Sequence, residues 1–344
     1  HDTKRGEDSR ARLNLLSEIP AEWERRVRRW IRLNKGLRNG KSEAPRPLDE
    51  YLIYQSLIGA WPFEFLDPGG ITGSSAAVFL ERMKAYLVKA LREAKQETSW
   101  LDPDLDYEQA CLAFLENLLD RRRSREFIAD LTGFLSGIAP FGAMNSIAQT
   151  VLKLTAPGVP DIYQGSELWD LSLVDPDNRR PVDFAARRKM LSDAMAAASL
   201  EPPARRKAWE ELRRSWRDGR IKLHVIAALL ALRRRSPALF AEGSYEPVDS
   251  GGLPARHLFT FRRRQGDRGM IVAVGRFFAQ RHGGADKELP GGAAWASAHL
   301  SLPRGAPAAY IDAFTGTRIE AKGRRLALGP SFALLPVAVL VDHS

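Results

Sequence analysis

The spacing of apolar residues changes once along this chain, and that change limits the architectures open to it. Up to about residue 240 the spacing is three or four. Leu48, Tyr51, Leu52 and Ile58 follow it until Pro62. Phe79, Leu80, Met83, Leu87, Ala90 and Leu91 follow it again, with Ser74 and Ser75 as candidate N-caps. Leu112, Leu115, Leu118 and Leu119 give another helix after Pro103, and the helical pattern runs on to about Leu135. "FGAMNSIAQTVLKLT" reads as a separate helix of small residues. Residues 183–200 and 221–235 read as two more, the last stopped by Pro237. Between them "APGVPDIYQGSE" is short, apolar and bracketed by Pro and Gly, which suits a buried strand and a loop. From about Gly243 the period becomes two. Phe259 and Phe261 share a face in "HLFTFRR", and "MIVAVGRFF", "AHLSLP", "RLALGP" and "FALLPVAVLV" are further strands. Short strands with turns between them predict a C-terminal antiparallel β-sandwich.

Composition removes several function classes. The net charge of +10 raises nucleic-acid binding, but the basic runs, such as Arg121–Arg123 and Arg262–Arg264, are scattered at apparent element ends. No zinc-finger or aromatic-basic motif accompanies them, so no nucleic-acid partner is expected. No run of about 18 apolar residues suggests a membrane span. The single cysteine, Cys111, allows no internal disulfide, reads as core and points to the reducing cytosol. The six histidines are dispersed, so neither a metal site nor a cofactor is expected.

Two clusters bear chemistry. The first is His1-Asp2, with Lys4 and Arg5 close enough to favour an ionised Asp2. A carboxylate accepts and an imidazole donates hydrogen bonds to sugar hydroxyls, but residue chemistry alone favours a merely polar chain end. The second is "GVPDIYQGSE". Gly158, Pro160, Gly165 and Glu167 match the G-x-P-x-x-x-x-G-x-E signature at the eighth strand of α-amylase-family (β/α)8 barrels. "HDTKRGEDSRARL", "DEYLIYQSLIGAWP", "REAKQETSW" and the stretch from "PFGAMNSIAQ" through "DPDNRRPVDF" together resemble the maltooligosyltrehalose synthases, a branch of that family. The resemblance runs from residue 1 to about 240 and thins in the β region.

The resemblance implies a fold class of α/β plus all-β. Residues 1–5 would end the seventh strand of a partial (β/α)8 barrel, and residues 6–132 would be a helical insertion. Residues 133–240 would carry the last barrel helices and the eighth strand, and 241–344 the β domain. It implies an isomerase, a (1→4)-α-D-glucan 1-α-D-glucosylmutase, that acts on maltooligosaccharides in the cytoplasm. Asp2 would be the third catalytic carboxylate and His1 a sugar ligand in the cleavage subsite. The nucleophilic Asp and acid-base Glu would lie upstream of residue 1, leaving the fragment alone inactive. Lys4 and Arg5 suit either the reducing-end subsites or ion pairs with Glu7 or Asp8. Tyr163 suits ring stacking or core packing, and Glu167 stands over the barrel mouth. Asp175 and Arg179 of "DPDNRRP" suit glucan hydroxyls or an Asx-type turn. Trp61, Trp100 and Trp169 are candidate sugar platforms, although packing is the ordinary role for each. Another hydrolase or transglycosylase of the clan, or a non-catalytic glucan-binding fragment, is the alternative reading.

Overall fold

The computed structural model describes residues 5–38, 44–67, 70, 72–253, 255–282, 289 and 291–342. The chain divides into two compact units: residues 1–139 with 171–180, and residues 140–170 with 181–344.

The first unit is helical: α1 (Glu7–Leu13), α2 (Pro20–Asn34), α3 (Pro47–Ala60), α4 (Gly73–Ala94), α5 (Leu105–Leu119) and the start of α6 (Arg125–Thr155). Local chemistry sets several ends. Pro20 and Pro47 open α2 and α3, where a missing N–H is harmless. Asp104 caps α5 by accepting from the Tyr107 amide at 2.9 Å. Helix α4 begins at Gly73, so Ser74 and Ser75 lie inside its first turn and do not cap it. Helix α2 buries Trp23 and Trp30, two turns apart on one face. Trp30 meets Tyr54 and Phe127 edge-on at centroid distances of 5.4 and 5.5 Å, and its indole donates to Asp130 at 2.7 Å. An indole placed so keeps its polar edge satisfied while its rings fill the core. Cys111 is buried there, and burial pushes its thiol up to about 12.

The sequence suggests two helices across residues 125–155, yet α6 is one helix of 31 residues running through Pro140. Proline removes one helical hydrogen bond and normally kinks or breaks a helix. Here buried Leu135, Ile138, Phe141, Met144 and Ile147 lie on both sides of it, and that burial outweighs the lost bond. By length and composition α6 is apolar enough to cross a membrane, which simple counting of apolar runs missed; 61% of its apolar window is buried within the protein.

The second unit adds α7 (Phe184–Ala198), α8 (Pro202–Arg214), α9 (Arg220–Arg235) and α10 (Pro237–Ala241). Asp183 caps α7 by accepting from Ala186 at 2.9 Å. Pro237 both follows the end of α9 and opens α10. Then come the strands β1 (Glu246–Pro247), β2 (Asp249–Gly251), β3 (Leu258–Gln265), β4 (Arg268–Gly275), β5 (His299–Ser301), β6 (Ala309–Asp312), β7 (Arg318–Glu320), β8 (Arg325–Ala327) and β9 (Val337–Asp342). They form a six-stranded sheet in the order β1-β3-β4-β9-β6-β7 and a three-stranded sheet β2-β5-β8, and every pairing is antiparallel. The C-terminal antiparallel module read from the sequence is therefore present.

The barrel strand expected in "APGVPDIYQGSE" is not hydrogen-bonded as a strand: among the described residues it has no ladder partner. A strand exists only through its neighbours, and an apolar extended segment without them stays coil. Residue 5 shows a single isolated antiparallel bridge, to Leu173.

Strand β3 breaks the alternation rule. Arg263 is almost fully buried. Its guanidinium donates to the carbonyls of Ser244 (2.8 Å), Gly243 (2.9 Å), Phe240 (3.0 Å) and Thr155 (3.2 Å). Those carbonyls belong to the ends of α6 and α10 and the turn that follows. Replacing Arg263 with Met keeps most of the volume and orphans these acceptors. Urea denaturation of Arg263→Met should show a loss of roughly 2–4 kcal/mol.

Candidate functional site

The first unit holds the loop that follows "SELWD". Gly6 donates from its amide to the Ser172 carbonyl at 2.8 Å, and Arg5 bridges Leu173. This pairing sets the stretch after His1-Asp2 beside the start of the "DPDNRRP" loop, a juxtaposition that no local sequence signal shows. The Arg5 guanidinium donates to Ser56 Oγ at 3.3 Å and lies 6.0 Å from the Tyr86 ring centroid. His1, Asp2 and Lys4 lie outside the described residues.

Within the loop one carboxylate points in and one points out. Asp177 is gripped by Arg82 through Nε (2.7 Å) and Nη2 (2.9 Å), and its Oδ2 accepts from the Leu173 amide at 2.7 Å. Arg180 adds a contact at 3.2 Å. Burial pushes the Asp177 carboxyl up, but the Arg82 contacts and these donors together outweigh it and hold the group below its ordinary range. Lys89 reaches in to donate to the Asp175 carbonyl at 2.8 Å. With its backbone held so, the loop leaves the side chains of Asp175 and Arg179 outside, ion-paired with each other at 2.8 Å and largely solvated. The sequence singles out this exposed pair; the residues that fix it, Arg82 and Asp177, carry no signal beyond an arginine on the inner edge of α4.

The second unit holds the "GVPDIYQGSE" loop. Ser166 donates to the Tyr163 carbonyl from its amide (3.0 Å) and its hydroxyl (2.6 Å), which closes the turn. Gly165 adopts a φ of +89°, a left-handed conformation that a side chain would strain. A Cβ there would also press Val182 at 3.2 Å. Glu167 folds back on this turn: one oxygen accepts from the Gly165 amide at 3.0 Å, and the other pairs with Arg187 of α7. Arg187 also donates to the Gly165 carbonyl at 3.2 Å. Both Glu167 oxygens are thus engaged within the loop, and Tyr163 is half-buried beside it. Of the tryptophans, Trp61 is fully buried. Trp169 donates to the Trp216 carbonyl at 2.7 Å. Trp100 is 55% exposed, with Arg92 4.9 Å above its ring. Among the described residues no group of three His, Cys, Asp or Glu could hold a metal ion.

These loops and the antiparallel module reproduce part of a known enzyme architecture. Crystal structures of maltooligosyl trehalose synthases superimpose on the whole chain: one at a TM-score of 0.73 and 29% identity, and that from Arthrobacter ramosus at 0.73 and 32%, over 39% and 38% of their own chains. A hypothetical maltooligosyl trehalose synthase from Sulfolobus tokodaii matches at 0.67 and 27% over 38% of its chain. A Mycobacterium tuberculosis protein with a provisional assignment as maltooligosyl trehalose synthase is 36% identical over 343 residues, which is 99% of this chain and 36% of that protein. No family model matches the chain. The chain is therefore homologous to the maltooligosyl trehalose synthases along its whole length, and it spans about a third of the length of the curated relatives it matches.

The Asp177 carboxylate, held below its ordinary range, stabilises the loop above the unfolded carboxylate pKa and ceases to do so as the pH falls through its lower folded value. Amide exchange over residues 171–180, corrected for intrinsic rate, should stay constant from about pH 7 to 5 and speed up below about pH 4. In Arg82→Met the same amides should exchange fast already at neutral pH.

Proposed function

We propose that the complete protein is a maltooligosyltrehalose synthase acting in trehalose biosynthesis in the bacterial cytoplasm. It would convert the reducing-end α-1,4 linkage of a maltooligosaccharide into an α,α-1,1 linkage. The supporting observation is that the likeness to such enzymes covers 99% of the chain in sequence and all of it in structure.

The chemistry is a retaining double displacement, with two carboxyl groups about 5 Å apart. A carboxylate attacks the anomeric carbon as a second carboxyl protonates the departing glucose oxygen. The freed glucose then turns and attacks the glycosyl-enzyme through its own anomeric hydroxyl, whose proton returns to the second carboxylate. Atoms balance with no water consumed, so the site must exclude water while the covalent intermediate lives. On this reading both carboxyl groups belong to the remaining two thirds of the protein, arranged as a (β/α)8 barrel. Residues 1–5 would end its seventh strand, and "GVPDIYQGSE" would supply its eighth.

This chain's residues then take supporting roles. Asp2 holds sugar hydroxyls and favours the distorted, positively charged sugar of the transition state, with His1 beside it. Lys4 and Arg5 receive the reducing-end glucose; the contacts of Arg5 with Ser56 and Tyr86 restrict its rotamers in advance. Asp175 and Arg179 bind glucan hydroxyls, because an exposed ion pair is worth at most about 1 kcal/mol and opens readily for a ligand. Tyr163 flanks the glucan. Glu167 acts by holding its loop in shape, since its oxygens are already engaged.

Maltopentaose incubated with the complete protein should give a non-reducing pentasaccharide; release of only glucose and maltotetraose would refute the proposal. Asp2→Asn in the complete protein should lower turnover by roughly a hundredfold or more, with the substrate still bound. The 344-residue chain alone should show no turnover.

A further inference from the structure

The β module carries a hollow of about 240 Å³ between the β3–β4 hairpin of its larger sheet and the loop before β6. Strand register builds it. Arg264 lies opposite Gly269 across β3 and β4, and Tyr310 lies opposite Asp342 across β6 and β9. Met270 pairs with Val341, so Gly269 and Asp342 occupy the next step of the ladder. Four strands thus contribute one cross-strand row: Arg264, Gly269, Asp342 and Tyr310. The missing side chain at Gly269 opens the row, and a Cβ there would collide with the Asp342 carboxylate. Arg262 stands in the neighbouring row, tied to Glu246 at 2.6 Å, and exposed Arg304 comes from the loop before β6.

The half-buried Asp342 carboxylate makes no hydrogen bond or ion pair with any described residue; burial pushes its carboxyl up, against the opposing pull of the Arg264 and Arg262 charges. Its two oxygens are acceptors left for a ligand; Arg304 lines the hollow with them, as does Arg264, whose Nε donates to the Gly266 carbonyl at 3.0 Å and whose remaining N–H groups are donors. A phosphate would meet the carboxylates of Asp342 and Asp267, and a cation would meet Arg262, Arg263, Arg264 and Arg304. A neutral ligand with adjacent hydroxyls suits both signs of charge, because each hydroxyl can donate to the carboxylate and accept from a guanidinium. The hollow is smaller than the roughly 300–1,000 Å³ of sites that enclose drug-sized molecules, which favours a single ring.

We propose that this hollow is a saccharide-binding site that grips one ring of a glucan through Asp342, Arg264 and Arg304. The polyhydroxyl class follows from the hollow itself; the choice of an α-glucan rests on the function proposed above. A chain held here by one ring raises the local concentration of its other ends around the protein, which matters for a long and dilute substrate.

The test is hydrogen exchange of the complete protein titrated with maltose, read over residues 262–271 and 303–310. Maltose should slow exchange there saturably. The midpoint should move to about tenfold higher maltose in Asp342→Asn, by loss of a charged acceptor. It should rise several-fold in Arg304→Ala, an exposed position whose change leaves the fold intact. Unchanged exchange with maltose would overturn the proposal, as would equal midpoints in both variants. Protection by inorganic phosphate that strengthens in Asp342→Asn would replace it with an anion site. If the complete protein yields no non-reducing product from maltopentaose while this protection persists, the proposed function fails and the saccharide site stands.

Discussion

A buried helix end is a debt of hydrogen bonds, and the second unit is organised around one. The last four carbonyls of an α-helix have no partner within it, and burial removes water as an alternative. At the end of α6 two arginines from distant parts of the chain supply the donors. Arg233 of α9 reaches the Leu154 carbonyl at 2.9 Å, and Arg263 of β3 reaches Thr155 while also serving Phe240, Gly243 and Ser244. Taking a guanidinium out of water costs several kcal/mol. Four hydrogen bonds to a charged donor, each worth about 1.5–3 kcal/mol net, outweigh that, and the helix C-terminus is itself negative. Burial and the neighbouring Arg233 charge pull the Arg263 guanidinium below its ordinary range, yet an arginine starts so high that it stays charged. The position of β3 against α6, α9 and α10 is thereby fixed by geometry as much as by apolar contact.

Arginine plays the same part at both loops. Arg82 holds Asp177 and so directs the 171–180 loop; Arg187 holds Glu167 and so closes the 164–167 turn. In each case the carboxylate partner is the residue that turns inward, and the polar residues left over are the ones that face solvent. Asp175 and Arg179 are available because Asp177 is not. A loop held by a two-point guanidinium contact and backbone bonds keeps its exposed groups in one arrangement before a ligand arrives, which reduces the ordering entropy lost on binding.

What the sequence shows and what it hides follow from the range of the forces. The β module was legible because its signals are local: β4 and β9 are short unbroken apolar runs, buried on both faces from Met270 to Val274 and from Val337 to Leu340. Caps such as Asp104 and Asp183 act three residues away and can be read the same way. Pro140 suggests a break in α6 because proline's penalty is local, whereas the burial that overrides it comes from other elements. Arg263 was hidden for the converse reason: a charged residue on an inward position makes sense only once the carbonyls of three separate stretches converge on it. The extended segment 159–163 keeps an apolar strand's composition without a strand's bonds, since composition belongs to the segment and pairing belongs to its neighbours.

The candidate site was legible only in part, and its geometry explains the division. Asp175, Arg179, Tyr163 and Glu167 stand in turn-rich stretches whose Gly and Pro announce a shaped loop. Nothing in the same stretches tells an inward carboxylate from an outward one. Asp175 and Asp177 sit in one short loop, and either could have been the solvent-facing residue. The choice is made by Arg82, 95 residues away in sequence, and by the Leu173 amide, which is itself placed by the bridge to Arg5. The outward pair is therefore set by the packing of α4 and by a contact with the segment that follows His1-Asp2. That makes the loop and residues 5–6 a single geometric unit: Arg82 holds Asp177, Asp177 holds the Leu173 amide, and Leu173 carries the bridge to Arg5.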